Sequence, residues 1–122
     1  MIGYVTFGTN DLPRAAAFYD ELLATIGVKR IMDFGRGYAW GMSMSQPSLG
    51  ILTPFDGQPA SPGNGAMAAL VVDSRAKVDA LHAKALSLGG KDEGAPGPRG
   101  EGFYAGYFRD LDGNKLNAFC IG

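Results

Sequence analysis

The sequence predicts an α+β fold built from two tandem βαβββ modules. Short apolar elements are punctuated by 19 glycines. A strand-then-helix unit that begins near Tyr4 recurs near Met67, and the chain closes in a strand–turn–strand run from Phe108 to Phe119. At 122 residues the chain makes one domain, burying ~65% of its unfolded surface. Module 1 is expected over 1–57, a linker over 58–65 and module 2 over 66–122.

Ile2 to Gly8 reads as a strand, with Val5 and Phe7 on one face and Tyr4 and Thr6 on the other. Asn10-Asp11 offers an N-cap and Pro13 suits the first helical turn. The helix runs to about Ile26, placing Ala15, Phe18, Leu22 and Ile26 on one stripe, and Gly27 ends it. Strands are expected at 28–34, 37–43 and 49–53, separated by Gly35-Arg36-Gly37 and Gln46-Pro47-Ser48. Three prolines and three glycines mark 54–65 as connecting chain.

The second half repeats the plan. Ala66 to Val72 is a strand, Asp73-Ser74 caps a helix carrying Val78, Leu81, Ala85 and Leu88, and Gly89-Gly90 stops it. Aligning the halves lays Asp11 on Ser74, Phe18 on Leu81, Leu22 on Ala85 and Gly27 on Gly90. Identity is poor but the element order matches, as a duplicated module would leave it. In the closing hairpin Asp112-Gly113 supplies the chemistry of a two-residue turn. That turn would pair Phe108 with Asn117 and Gly106 with Phe119.

Composition narrows the function. Eleven basic against 12 acidic residues leave no cationic footprint for nucleic acid. No run of about 18 apolar residues spans a membrane, and Met1-Ile2-Gly3-Tyr4 enters a strand pattern without signal-peptide regions. A single cysteine, Cys120, rules out an internal disulfide. The expectation is a cytoplasmic protein.

The chain resembles the vicinal-oxygen-chelate superfamily of glyoxalases, bleomycin-resistance proteins and extradiol dioxygenases. The resemblance spans nearly its whole length. It rests on Val5-Thr6-Phe7 with Asn10-Asp11-Leu12, Ala17-Phe18-Tyr19, Val78-Asp79-Ala80-Leu81-His82, Gly89-Gly90, Asp92-Glu93-Gly94-Ala95-Pro96-Gly97 and the closing hairpin. It implies that each module is a curved mixed sheet with a helix on its convex face, the two forming a cup or half-barrel. It also implies metal ligands at three positions that fall here on Tyr4, Met67 and Asn117. The fourth falls near 49–53, and no Asp, Glu or His occurs between Asp33 and Asp56. Divalent metals on such a scaffold need imidazole or carboxylate donors. No metal and no cofactor is therefore expected.

Strand alternation then places Tyr4, Thr6, Met67, Tyr104, Phe108, Asn117 and Phe119 on the concave side, with Trp40 and Phe55 as candidate walls. An aromatic, mostly neutral bowl of this kind suits a small organic ligand. Arg36 and Arg99, in glycine-flanked loops, are placed to reach an anionic ligand at the rim. His82, the only histidine, reads as a boundary residue of its helix, Cys120 as a buried thiol, and Arg109, Asp110 and Asp112 as turn-shaping residues.

The leading expectation is a small-molecule-binding protein, with no acidic cluster of the kind that holds cationic drugs in the bleomycin-resistance branch. The alternative is a glyoxalase-like enzyme related to lactoylglutathione lyase, or another enzyme with non-standard catalytic residues. A tyrosine such as Tyr4, with a pKa near ~10, is a poor base unless its surroundings shift it. A third reading is a module acting through protein contacts, should its own side chains fill the bowl. The resemblance further implies a homodimer with two equivalent cavities.

Overall fold

The computed structural model describes residues 1–122. Its element order is β1 (Tyr4–Gly8), α1 (Leu12–Ala24), β2 (Lys29–Asp33), β3 (Gly37–Gly41), β4 (Ser48–Leu52), β5 (Ala68–Val71), α2 (Arg75–Ser87), β6 (Lys91–Pro98), β7 (Phe103–Arg109) and β8 (Lys115–Ile121). Strand orders are β1-β4-β3-β2 and β5-β8-β7-β6, so the βαβββ plan is built twice with the same topology. β1–β4 and β5–β8 are parallel, and the other pairs are antiparallel.

Local chemistry sets the helix bounds. The Asp11 side chain accepts the Arg14 N–H and Ser74 accepts that of Lys77, while Pro13 sits in the first turn of α1. Gly27 and Gly89 follow the helices at φ 75° and 97°, a conformation that costs glycine nothing. Val78, Leu81 and Ala85 of α2 meet Phe18, Leu22 and Leu23 of α1 in one hydrophobic cluster with Trp40, Ile51, Phe108 and Leu116. One core therefore joins both modules.

The β7–β8 turn pins module 2 to module 1. Thr9 donates from Oγ1 to Asp112 Oδ2 at 2.6 Å, and Asn114 Nδ2 donates to the Gly8 carbonyl at 3.0 Å. The Tyr19 hydroxyl donates to Asp110 Oδ2 at 2.6 Å inside the protein. The connecting chain is held as well, since Asn10 and Ala60 exchange two hydrogen bonds.

Three expectations are corrected. The closing turn is a three-residue loop, not a two-residue one. Gly113 N–H bonds to the Asp110 carbonyl and Asp110 N–H to the Asn114 carbonyl, with Gly113 at φ 87°. The register consequently moves by one residue, pairing Phe108 with Leu116 and Tyr107 with Asn117. The edge strand β6 pairs with β7 through two register shifts, one between Asp92 and Gly94 and one between Gly94 and Gly97 that passes over Pro96. His82 is buried at 5% exposure. Its Nε2 lies 3.1 Å from both Asp92 Oδ1 and the Tyr107 carbonyl oxygen, tying α2 to β6 and β7.

Candidate functional site

Strand alternation about the observed register divides the expected residues between two sheet faces. On the β7–β8 ladder Leu116, Ala118 and Cys120 are buried against α2. Their partners Phe108, Gly106 and Tyr104 lie on that same side. Phe108 is fully buried and edges onto the His82 ring at 6.4 Å. Tyr104 donates its hydroxyl to Asp79 of α2 at 2.6 Å, and that bond raises its pKa. Neither faces the bowl. Their expected places fall to Phe103 and Tyr107, which the two-residue-turn register had turned the other way.

The outer face of sheet 2 thus carries Phe103, Ala105, Tyr107, Lys115, Asn117 and Phe119. Phe103 and Phe119 stack with ring centroids 5.3 Å apart and planes 18° apart. Asn117 is 2% exposed, and its Oδ1 has no hydrogen-bond partner. An orphaned buried acceptor costs about 1–3 kcal/mol. Arg99 and Lys115 each reach the Tyr107 ring, at 5.5 Å from its centroid.

Tyr4 and Thr6 lie on the corresponding face of sheet 1, in register with Ser48 and Gly50. Tyr4 is exposed. Parallel pairing shows Gly50 beside Thr6 where Asn117 stands beside Ala69, which makes Gly50 the module 1 counterpart of Asn117. Trp40 is on the helix side, buried, and donates from Nε1 to Asp20 at 2.8 Å. It lines a different space: an apolar groove of about 890 Å³ between β1 and β5, bounded by Val5, Phe7, Ile26, Ala68 and Leu70. Met67 lines that groove also. Arg36 donates to the Thr53 carbonyl and lies 5.3 Å above the exposed Phe55 ring, away from both faces' centres. The chain gathers Asn117, Phe119 and Arg99 on one face, and holds Tyr4 and Thr6 in another sheet.

The metal positions implied by the resemblance can be tested by their donors. Tyr4 offers a phenol, Met67 a thioether, Asn117 a neutral amide and Gly50 no side chain. No group of three or more His, Cys, Asp or Glu side chains lies close enough to hold an ion. This set does not fit a hard or borderline divalent cation. No helix is long and apolar enough to cross a membrane.

Comparison with known proteins agrees with the fold. A family model described as the Glyoxalase/Bleomycin resistance protein/Dioxygenase superfamily matches residues 1–118. A glyoxalase/bleomycin resistance protein from Albidiferax ferrireducens is 37% identical, with a TM-score of 0.90 over 100% of this chain and 99% of its own. A hypothetical protein from S. aureus is 23% identical with a TM-score of 0.76, covering 99% and 93% of the two chains. A lactoylglutathione lyase from Agrobacterium tumefaciens is 20% identical with a TM-score of 0.70, covering 98% and 92%. No curated protein matches the sequence.

Proposed function

Since the chain belongs to the glyoxalase/bleomycin resistance protein/dioxygenase superfamily, we propose that it binds a small organic molecule in a metal-free aromatic cavity. The observation that carries this reading is Asn117, buried and unpaired at Oδ1 on a face lined by Phe103, Tyr107 and Phe119. A polar atom held among aromatic walls without a partner is the pattern of a pocket that fixes a ligand's orientation.

The cavity of this proposal has two halves. β1 and β5 are free sheet edges, and Ile2, Val5, Met67 and Val71 beside them are exposed. Unpaired edges with apolar flanks are covered in stable proteins. A homodimer covers them if β1 of one chain lies beside β5 of its partner, a closed two-fold arrangement. Each four-stranded sheet then continues into the other chain's sheet, and the Tyr4–Thr6 face meets the Asn117–Tyr107 face in one cup. Cys120, free and buried, supports a reducing, cytoplasmic setting.

The test is metal analysis of untagged protein by mass spectrometry, with zinc, nickel, manganese and iron titrations, beside native mass spectrometry for a co-purified organic ligand. Substoichiometric metal and a retained organic molecule are expected. A stoichiometric, tightly held metal would overturn the metal-free cavity and favour lyase chemistry of the lactoylglutathione lyase type.

A further inference from the structure

We propose that the outer face of sheet 2 selects small organic anions. A ligand carboxylate would meet Arg99 and Lys115 above the Tyr107 ring, and a hydroxyl or N–H of the same ligand would meet Asn117 Oδ1. This inference rests on the small-molecule reading above and adds the ligand's charge class to it.

The charge on this face is uneven although the chain as a whole carries −1. Lys91, Arg109 and Lys115 share the face through the Lys91–Arg109–Lys115 register, and Arg99 folds onto it. Its acid is Glu93, which is committed to Arg109 and held below its usual pKa chiefly by that pairing. Lys91, Arg99 and Lys115 form no ion pair, and Glu101, two residues beyond Arg99, does not neutralise it. Four cations against one carboxylate leave this face with a net positive charge, which attracts anions.

The backbone is shaped to place Arg99. Its guanidinium turns back along β6, donating from Nη2 to the Ala95 carbonyl at 2.7 Å. A Cβ on Gly97 would lie 3.1 Å from Nη1, and one on Gly94 would lie 3.3 Å from Nη2 and 3.4 Å from Tyr107 Cδ1. Two missing side chains therefore leave the strip of space that Arg99 crosses to reach Tyr107. Gly94 also sits at φ 152°, where side-chain-bearing residues are strained. The guanidinium plane offers paired donors to a carboxylate and a flat face to an aromatic ring, and Lys115 adds a mobile point charge. Asn117 lies directly across the ladder from Tyr107, which sets its amide beside the ring that Arg99 and Lys115 flank.

Ligand-observed NMR on the untagged protein tests this, using hydroxybenzoates each matched with its uncharged hydroxybenzamide. The carboxylates should bind more tightly than their amides and weaken with added salt. Arg99→Gln and Lys115→Gln should each weaken the carboxylates about tenfold and narrow the preference of acid over amide, and Arg99→Lys should retain part of that preference. Equal binding of acid and amide by the wild-type protein would overturn the anion assignment and leave the small-molecule reading standing. Absence of any binder in either series would overturn both. The wild-type comparison needs no variant, so it decides the matter even if Arg99→Gln folds poorly and melts at a lower temperature.

Discussion

Tyr19 sends its hydroxyl to Asp110, 91 residues away in sequence, and the bond is buried. Burial first, then the Asp110 and Asp112 carboxylates, raise its pKa well above the usual value. Losing a buried hydrogen bond to a charged group costs about 1.5–3 kcal/mol, so Tyr19→Phe should lower stability by that amount in urea unfolding. The sign with pH follows from linkage. A folded-state pKa above the unfolded value near ~10 gives full stability below that pH and a loss as pH rises past it. Tyr19→Phe should flatten this alkaline limb. Asp92 works in the opposite sense: the Gly94 N–H, then His82, lower its pKa. Its contribution is present above the unfolded value near ~3.9 and lost as pH falls through that region; Asp92→Asn should blunt acid unfolding followed by circular dichroism. The turn-shaping role of Asp110 and Asp112 was legible in the sequence. Tyr19's partner and the burial of His82 were not, because both depend on residues far along the chain.

At the scale of elements, the two helices show how far local chemistry reaches. Each has 13 residues, and α2 starts at Arg75 as α1 starts at Leu12, in step with the sequence repeat. Ser74→Ala should cost about 1 kcal/mol by removing the acceptor for Lys77 N–H. Gly90→Ala should cost about 2 kcal/mol or more, since its Cβ would lie 2.7 Å from the Ala85 carbonyl oxygen and 2.9 Å from that of Arg109. Thermal melts of the two variants would rank these costs. The hairpin shows where local reading stops. Asp112-Gly113 marks a turn in either geometry, but the bond from Gly113 N–H to Asp110 makes the loop one residue longer. In a strand one residue of slip exchanges the faces, and that exchange put Tyr107 on the outer face and Phe108 in the core. β6 was legible only as glycine and proline, which in isolation describe a loop; pairing with β7 makes it a strand.

For the whole molecule the consequential feature is the open side between β1 and β5. Sedimentation equilibrium should give twice the 12.8 kDa of the chain if a second copy covers the groove. Val5→Lys combined with Val71→Lys puts like charges on the two edges proposed to meet, β1 and β5, and should yield monomer with its secondary structure retained by circular dichroism. A wild-type monomer at micromolar concentration would contradict the shared cup. The faces of the expected site residues were legible in part. Asn117, Phe119 and Arg99 share one face, whereas Trp40 belongs to the core and Arg36 to a peripheral turn.

The sequence by itself determined the α+β class, the duplicated plan, both helices with their caps, and the absence of imidazole or carboxylate at the expected metal positions. These properties are local or compositional: periodicity, capping side chains and residue identity do not depend on distant partners. Only the tertiary structure decided the register of β7 on β8, the conversion of 91–98 into an edge strand, and the gathering of Arg99, Tyr107, Lys115 and Asn117. Those depend on which backbone groups bond across the sheet, and one hydrogen bond in the turn is enough to exchange the two faces of β7.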